Sequence, residues 1–489
     1  MKSKESQLNT IFEASQKTFE AIEKELVEKA YHFTEKYHTD QKRNSGEPYF
    51  YHAIEVAKNC ASLGADATTI AGALLHDTLE DTEATEEEIL ENFGEEVLFL
   101  VSGVTKLGKL KYQGVERHVE SMRKFFIALA EDVRVLLIKL ADRLHNVQTL
   151  EHVRPEKQKR IAIETIEVYA PLAGRLGMGK LKGLLENYAF PFAYPEEYKE
   201  TKKFLDETVP EAIGVVEIVK KEVEEILISF GVDALVEARV KHTYSLYRKL
   251  VKYNMEKEKI HDIVALRILV KNVADCYQVF GLMHMQWKPI PNRVKDWIAV
   301  PKPNGYKSLH TTVITPGGVV EIQIRTEEMH SDAELGIASH LVYKEVTTGE
   351  KVPQKQQRAW LAQLKELSNL VESVDDMNEL KLDFFNHRIF VFTPKGDVVD
   401  LPEDSGPIDF AYAIHSDIGD TLSSVKINRK MSSIETVLKN GDIVEITTSK
   451  NAHPSSKWLE YTKTSFARRK IRHYIEEHGG LAEKFLAKE

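Results

Sequence analysis

The chain has 489 residues, of which 42% are hydrophobic and 29% charged, and its formal net charge at pH 7 is -10. This length predicts roughly three domains, and the composition is typical of a globular protein rather than a disordered or membrane protein. Because the chain as a whole is acidic, any site for a polyanion must be a local basic surface.

The sequence argues against export and against a thiolate metal site. No apolar run is long enough to cross a bilayer, and the N-terminal stretch MKSKESQLNTIFEASQ lacks the apolar segment of a signal peptide. We therefore predict a cytoplasmic protein with no membrane partner. The two cysteines, Cys60 and Cys276, lie far apart and outside any CxxC pattern, which disfavours a disulfide framework and a structural zinc site.

Changes in apolar spacing and in turn residues divide the chain into five segments. Apolar residues three and four apart predict helices as far as the run FPFAYPEE, where two prolines mark a boundary. Short β-branched runs mixed with helices then predict an α/β domain, and a later strand pair, helix and strand fit a small β-grasp module. We predict a helical domain over 1–195, an α/β domain over 196–345, a helical linker over 346–384, the β-grasp module over 385–450 and a basic helical tail over 451–489.

The stretch LLHDTLEDT places four ionisable side chains within six consecutive residues of an apolar segment. If the stretch is helical, His76, Asp77, Glu80 and Asp81 share one broad face. The His-Asp pair offers an imidazole and a carboxylate to a divalent metal, and the Glu-Asp pair could orient or deprotonate a water there. The alternative interpretation is a solvated acidic helix end.

Two further residues can complete a metal site with this stretch. His52 begins a predicted helix in GEPYFYHAIEVA, where a histidine alone is more often structural. Asp142 lies close to the apolar stripe of VRVLLIKLADRLHNVQTL and therefore needs a partner. Together with His76 and Asp77 they give two imidazoles and two carboxylates, a set that suits Mn(II) or Fe(II).

A second group of polar residues follows in ARVKHTYSLYRKL. Lys241, Ser245 and Lys249 recur every four positions and would form one helical face, with Arg239 just ahead. Such a face could bind a triphosphate. The alternative interpretation is a solvated basic surface.

Two carboxylates and a loop lie beyond that face. Asp262 opens the predicted strand DIVALRILV, and alternation in VVEIQIR puts Glu321 on one side of another strand. Carboxylates on neighbouring strands could hold Mg²⁺ across the phosphates of a nucleotide. The loop KDWIAVPKPNGYKSLHTTV carries Lys302, Tyr306 and His310, and a tyrosine there can stack on a base.

These motifs resemble known enzymes. The order H…HD…D resembles the HD phosphohydrolase superfamily, and RNSGEPY, LLHDTLEDT and LADRLHN resemble the hydrolase domain of the RelA/SpoT family, whose members make and degrade guanosine tetra- and pentaphosphate. The second group resembles the synthetase domain of that family, and the segment containing AYAIHSDIG resembles its TGS domain. The implied fold is multidomain: an all-α HD-type hydrolase domain, an α/β nucleotidyltransferase-like synthetase domain with a mixed sheet, and a small β-grasp TGS domain.

The resemblance implies roles for the first site. His52, His76, Asp77 and Asp142 would bind Mn²⁺, and Glu80 and Asp81 would act in water activation. The nucleotide would contact Arg43, Asn146 and Thr149, although Arg43 alone would more often be a solvated arginine.

The resemblance also implies roles for the second site, which would transfer pyrophosphate from ATP to the 3′-hydroxyl of GDP or GTP. Asp262 and Glu321 would hold Mg²⁺, Glu321 would also assist deprotonation of the attacking hydroxyl, and Tyr306 would stack on guanine. The run RVKD from Arg293 to Asp296 matches the basic form found in bifunctional members. The remaining assignments are Arg239, Lys241, Ser245 and Lys249 to ATP, and Lys302, Asn304 and His310 to the acceptor nucleotide.

In long members of the family the TGS domain contacts deacylated tRNA on the ribosome, which makes His415 a candidate tRNA contact, although it could equally cap a helix. Long members continue beyond the position of Glu489 into regulatory domains, so we expect either a truncated or a naturally short form. No motif indicates an oligomeric state.

We predict a bifunctional enzyme, a GTP/GDP pyrophosphokinase and guanosine-3′,5′-bis(diphosphate) 3′-diphosphatase. One alternative is a hydrolase whose α/β domain only senses nucleotides, and another is a regulator that binds tRNA or the ribosome. Because the two reactions oppose each other, we expect one site to be damped when the other is engaged, through the helices between residues 170 and 230.

Overall fold

The structure is a computed structural model that describes residues 4–15, 18–108, 132–257, 260, 263–291, 293–302, 304–336 and 388–478. The described residues up to 336 form one compact unit, and residues 388–478 form a second. Asp262 and the predicted linker at 346–384 lie outside the described residues. Among the helices that are described, none is both long enough and apolar enough to cross a membrane.

The first unit begins with a helical region whose apolar stripes pack against one another. Ile54, Leu74 and Ile138, from three different helices, are almost fully buried. A Cβ atom added at Gly72 would lie 3.3 Å from the side chains of Ile138 and Leu100, so these helices pack closely there. The helices are α1 (Lys4–Ala14), α2 (Ala21–Tyr37), α3 (Phe50–Ser62), α4 (Ala67–Leu75), α5 (Thr78–Asp81), α6 (Glu86–Gly108), α7 (Val133–Gln148), α8 (Pro155–Glu164), α9 (Ala170–Arg175) and α10 (Gly179–Ala193).

The stretch LLHDTLEDT is not one continuous helix. Helix α4 ends at Leu75 and α5 begins at Thr78, with a turn between them. At this turn the side chain of His76 hydrogen-bonds to the carbonyl of Ala73 and the hydroxyl of Thr78 donates to the carbonyl of Leu75. Side chains therefore take over part of the backbone hydrogen bonding where the helix is interrupted.

The rest of the first unit contains a mixed sheet, so the predicted α/β class is confirmed. The strand order is β1-β2-β6-β5-β3, with β4 paired to β5. Only β2 and β6 are parallel, and the other described pairs are antiparallel. The elements are α11 (Pro195–Ser229), β1 (Ala234–Val240), α12 (Thr243–Lys252), β2 (Val264–Val270), α13 (Val273–Gln286), β3 (Lys288–Pro289), β4 (Lys295–Asp296), β5 (Leu309–Thr315), β6 (Gly318–Thr326) and α14 (Glu327–Leu335).

The two faces of this sheet have different chemistry. Ile322 and Ile324 of β6 join a buried apolar cluster that also contains Val219 and Val223 of α11. Strand alternation sends Glu321, and the other odd-numbered residues of β6, to the opposite face. That opposite face is polar and is available for a site.

The second unit has the strands and helix expected of a β-grasp module. Strands β7 and β8 form one antiparallel pair, β10-β9-β11 forms a sheet, and a parallel bridge joins Phe392 to Ile443. The elements are β7 (Arg388–Phe392), β8 (Val398–Pro402), α15 (Pro407–Ile414), α16 (Ser416–Asp420), β9 (Leu422–Ile427), β10 (Lys430–Ser432), β11 (Val444–Thr448), α17 (Trp458–Tyr461) and α18 (Ser465–His478).

The segment predicted as a basic tail shares the core of the second unit. Ile471 of α18 is fully buried in a cluster with Ile408 and Tyr412 of α15. The buried carboxylate of Asp409 accepts hydrogen bonds from the backbone amides of Lys463 and Thr464. The segment up to residue 478 is therefore an integral part of this unit.

Ile471→Ala is expected to destabilise the second unit by about 2–5 kcal/mol, because it leaves a cavity in the core. Chemical unfolding that monitors this unit, for example through Trp458, would measure the change. Glu476→Ala on the exposed side of the same helix is the matched control, with an expected change within about 0.5 kcal/mol. Equal stability of the two variants would contradict a core role for α18.

Candidate functional site

Four predicted metal ligands meet at one point in the helical region. One ligand atom from each of His52, His76 and Asp142 lies within 4.8 Å of the others, and all three residues are buried. Asp77 Oδ2 is 3.0 Å from His76 Nε2 and 3.6 Å from His52 Nε2. Asp142 Oδ1 is 3.3 Å from His52 Nε2. The four residues come from α3, the turn between α4 and α5, and α7.

The donor atoms of this cluster fit a divalent cation. His76 Nδ1 is 2.8 Å from the carbonyl of Ala73, an acceptor, so a neutral His76 ring carries its proton on Nδ1 and keeps the lone pair of Nε2. Burial alone would lower the pKa of His76, but the neighbouring Asp77 raises it. His76 Nε2 is buried and has no hydrogen-bond partner within the described part of the chain. The 3.0 Å separation of His76 Nε2 and Asp77 Oδ2 therefore favours a positive charge between them, and a divalent cation would supply it.

Tyr49 and Lys139, which were not identified from the sequence, hydrogen-bond to the carboxylates of Asp77 and Asp142. The Tyr49 hydroxyl donates to Asp77 Oδ2 at 2.5 Å, and Lys139 Nζ donates to Asp142 Oδ2 at 2.7 Å. Burial and the nearby Asp77 raise the pKa of Tyr49, so its hydroxyl stays protonated as a donor. Burial alone would lower the pKa of Lys139, but Asp142 raises it above the usual range. The spacing of Lys139 and Asp142, three residues apart on α7, is a signal that could have identified the lysine.

Glu80 and Asp81 lie at the rim of the cluster. Both belong to α5, and their backbone amides donate to the carbonyl of Asp77. Asp81 is exposed and Glu80 is half-buried. Asp81 Oδ2 also accepts from the Tyr49 hydroxyl at 3.3 Å, so one tyrosine contacts both a ligand carboxylate and a rim carboxylate.

The structure brings together the three residues that the sequence assigned to nucleotide contact. Arg43 donates to Asn146 Oδ1 at 2.7 Å and to Thr149 Oγ1 at 3.2 Å. Asn146 Nδ2 in turn donates to Asp142 Oδ1 at 2.5 Å. His145, which the sequence did not indicate, also contacts Arg43, and burial together with His52 and Arg43 lowers its pKa to about 3.

The second site lies on the polar face of the mixed sheet. Glu321 lies opposite Ala265 of β2 and Thr312 of β5, and Gln323 lies opposite Arg267 and His310. Glu321 Oε1 accepts from Gln323 Nε2 at 2.9 Å and lies 3.6 Å from His310 Nδ1. The predicted partner of Glu321, Asp262, lies outside the described residues. The structure therefore shows the contacts of Glu321 only.

The loop before β5 places an aromatic ring and a lysine beside this face. Tyr306 Oη is 2.8 Å from His310 Nε2, and Lys302 Nζ lies 4.9 Å from the Tyr306 ring centre and 5.1 Å from that of Trp297. Burial lowers the pKa of His310 to about 3, and Lys302 adds to the effect. Asn304 Nδ2 donates to the carbonyl of Gly174 in the helical region at 3.2 Å.

The predicted helical face of three polar residues is only partly correct. Ser245 and Lys249 lie on α12, but Lys241 lies in the connection before it. Strand β1 ends at Val240 and the helix is capped at His242, so Lys241 is not part of the helix. The Lys241 backbone amide donates to the carbonyl of Ile263.

Three arginines cluster on the same sheet face. Arg239 of β1 is half-buried, whereas Arg267 and Arg325 are buried and share one carboxylate, Glu334, at 3.5 and 3.4 Å. Burial lowers the pKa of Arg267, and the neighbouring Arg325 adds to the effect. Arg267 was missed at the sequence level, although its odd-numbered position in DIVALRILV matches this face. Arg267 also lies 3.7 Å from Glu237, so the three guanidinium groups face two carboxylates, and the remaining positive charge favours an anion.

His415 in the second unit caps a helix, the alternative that the sequence left open. Its Nδ1 accepts from the backbone amide of Asp417 at 3.2 Å, at the start of α16. The side chain is 64% exposed, so it is also accessible to a partner.

Three family models match successive parts of the chain. They describe an HD domain over residues 30–179, a region found in RelA / SpoT proteins over residues 238–348, and a TGS domain over residues 389–448. The first two cover the elements that carry the metal cluster and the polar sheet face. The third covers the strands of the second unit.

Curated relatives align with nearly the whole chain. The GTP pyrophosphokinase of Myxococcus xanthus is 46% identical over 93% of this chain and 60% of its own length. The guanosine-3′,5′-bis(diphosphate) 3′-pyrophosphohydrolase of Aquifex aeolicus is 46% identical over 93% of this chain and 65% of its own length. The bifunctional (p)ppGpp synthase/hydrolase SpoT of Escherichia coli is 42% identical over 90% of this chain and 63% of its own length. The chain thus spans less than two thirds of each relative.

Proposed function

The chain belongs to the RelA/SpoT family, and from this premise we propose that it both makes and degrades guanosine tetra- and pentaphosphate. The synthetic reaction would transfer pyrophosphate from ATP to the 3′-hydroxyl of GDP or GTP, and the hydrolytic reaction would remove it again. The observation that carries the proposal is that one chain holds two separate polar constellations, the buried His-Asp cluster and the polar sheet face.

In the hydrolase site we propose Mn²⁺ as the cation, held by His52, His76, Asp77 and Asp142. A divalent cation there would polarise the scissile phosphate and acidify water. Tyr49 and Lys139 fix the two carboxylates through the hydrogen bonds described above. A ligand set of two imidazoles and two carboxylates suits Mn²⁺, whereas a structural zinc site typically has thiolate ligands.

Residues at the rim of the hydrolase site would accept a proton from water and bind the nucleotide. Asp81, with Glu80 beside it on α5, is exposed to solvent and adjacent to the ligand Asp77, so it can accept a proton from an attacking water. The guanidinium of Arg43, which is held by Asn146 and Thr149, would contact the nucleotide.

In the synthetase site we propose that Asp262 and Glu321 bind Mg²⁺, whose charge would stabilise the transferring phosphates. The arginine-rich sheet face, with Lys241, Ser245 and Lys249 nearby, would bind ATP. Tyr306 would stack on the guanine of the acceptor, and Lys302, Asn304 and His310 would hold that nucleotide. Burial lowers the pKa of His310, so it would meet the acceptor as a neutral imidazole.

We also propose deacylated tRNA on the ribosome as a partner of the second unit. The match to a TGS domain and the exposure of His415 support this proposal.

The deciding experiment assays the two directions separately, with ATP, GDP and Mg²⁺ in one mixture and guanosine tetraphosphate with Mn²⁺ in the other. We expect tetraphosphate in the first and GDP with pyrophosphate in the second. Hydrolysis alone would indicate a nucleotide-sensing sheet domain, and tRNA binding with neither activity would indicate a regulator.

The affinity of the synthetase site for its acceptor is expected to fall as the pH rises from about 7 to about 9. Burial, together with Lys295 and Lys182, lowers the pKa of Lys302 to about 8. Lys302 is therefore charged below that pH and neutral above it, so its attraction for phosphate is lost as the pH rises. The KM for GDP measured against pH tests this.

Lys302→Arg is the matched variant for this measurement, because a guanidinium keeps its charge over the whole range. The KM for GDP should then be nearly independent of pH. A parallel rise of KM in wild type and variant would show that another group titrates.

A further inference from the structure

We propose that His145 is a positioning residue of the hydrolase site, one that fixes the proton of the ligand His52 and joins that ligand to Arg43. This inference rests on the proposed hydrolase function and adds a residue to it. The ring of His145 is nearly parallel to that of His52, with centroids 4.9 Å apart and planes inclined by 27°.

The first step concerns His52, which is 2% exposed. Its Nε2 faces the carboxylates of Asp77 and Asp142, so this nitrogen must be unprotonated to bind a cation. The ring proton then belongs on Nδ1 and needs an acceptor. The Nδ1 atom of His145, at 2.7 Å, supplies that acceptor.

The second step fixes the proton of His145 itself. Arg43 NH1 is 3.1 Å from the same His145 Nδ1, and a guanidinium can only donate. His145 Nδ1 is therefore an unprotonated acceptor that faces two donors, Arg43 and His52. The neutral ring of His145 carries its own proton on Nε2.

The third step concerns the place of Arg43 in this arrangement. Arg43 donates to His145, which contacts the ligand His52, and to Asn146, which donates to the ligand Asp142. One guanidinium therefore contacts two residues that each hydrogen-bond to a proposed metal ligand. His145 and Asn146 are consecutive on α7 and lie one turn beyond Asp142. The residue proposed to contact the nucleotide thus shares its hydrogen bonds with residues that orient the metal ligands.

The test compares two substitutions at this position. His145→Phe keeps an aromatic ring against His52 but removes the acceptor. His145→Asn places a side-chain oxygen close to the former Nδ1 and so keeps the acceptor. Because residues that orient metal ligands typically contribute about 10- to 100-fold to metal affinity, the phenylalanine variant should bind Mn²⁺ more weakly by that factor. The asparagine variant should stay within a few-fold of wild type.

Binding is measured on the metal-free 489-residue chain by titrating Mn²⁺ and following the electron paramagnetic resonance signal of the free ion. His76→Ala, which lacks a ligand, gives the background from other sites and is subtracted. Hydrolysis by the phenylalanine variant should recover as Mn²⁺ is raised, a recovery that a general packing defect would not give. Its synthesis from ATP and GDP should equal that of wild type and reports that the unit is folded.

Wild-type affinity for Mn²⁺ in His145→Phe would overturn the positioning role while leaving the proposed hydrolase intact. If wild type itself shows neither the tight Mn²⁺ site nor hydrolysis, the proposed function fails and this inference fails with it. Should the phenylalanine variant not fold, His145→Leu, which also lacks an acceptor, carries the same expectation. Equal weakening in the asparagine variant would likewise overturn the acceptor role.

Discussion

His76→Ala is expected to abolish hydrolysis of guanosine tetraphosphate while leaving synthesis from ATP and GDP within about twofold of wild type, because the described residues of the two sites have no hydrogen-bond partner in common. Removing a residue that only supports a metal ligand costs about 10- to 100-fold, so removing a ligand should cost at least about 100-fold. His76 Nε2 lies 3.0 Å from Asp77 and 4.0 Å from Asp142, so its loss opens the centre of the cluster.

The measurement is a pair of initial rates on the same preparation, with Mn²⁺ for hydrolysis and Mg²⁺ for synthesis. His32→Ala is a suitable control, because this histidine belongs to α2 of the same helical region and is 66% exposed. The control should retain both activities. Loss of both activities in His76→Ala would indicate a folding defect, and retained hydrolysis would exclude His76 as a ligand.

The proximity of His52, His76 and Asp142 could be anticipated from the sequence because each is a chemically distinctive residue in an apolar setting. His76 and Asp142 are polar residues in segments that are otherwise buried, which is costly without a partner. Tyr49 and His145 could not be read in the same way, since their roles depend on contacts between segments that are distant in the sequence. Lys139 lies one turn before Asp142 on the same helix, so its spacing was a signal that was overlooked. The turn at His76 was also missed, because its hydrogen bonds come from side chains.

In the sheet, the alternation of side chains along one strand could be predicted from the sequence, but the register between strands could not. Alternation in VVEIQIR correctly places Glu321, Gln323 and Arg325 on one face. The pairing of Gln323 with Arg267 depends on the parallel register of β2 and β6, which no local pattern specifies. The error at Lys241 has a related cause, because a four-residue spacing predicts a helical face only where the chain is already helical.

The contact between the helical region and the loop before β5, which carries Asn304, was not predicted. The sequence indicated a boundary near residues 190–197, yet Asn304 donates to the carbonyl of Gly174. A Cβ atom at Gly336 would overlap the carbonyl oxygen of Leu176, so the two backbones approach closely there. The expected damping between the two sites stays a prediction, and these contacts identify the helix Ala170–Arg175 as the place to test it by substitution.

Glu321→Gln is expected to reduce synthesis by at least about 100-fold, the cost typical of losing one preorganised electrostatic group in an active site. Hydrolysis in the same variant should be unchanged. Glutamine keeps the length of the side chain and an oxygen that can accept from Gln323, but it loses the negative charge. The substitution thus separates the charge of Glu321 from its packing.

Glu328→Gln, an exposed carboxylate on α14 of the same unit, is the matched control and should retain full synthesis. If Glu321 binds Mg²⁺ and also assists deprotonation of the acceptor hydroxyl, kcat should fall much more than the KM for GDP rises, since neither role holds the acceptor in its ground state. A variant that kept kcat and lost only GDP affinity would assign Glu321 to acceptor binding instead. His310 lies 3.6 Å from Glu321 and contacts Tyr306. That result would therefore indicate that Glu321 acts on the guanine of the acceptor rather than on the reacting phosphate.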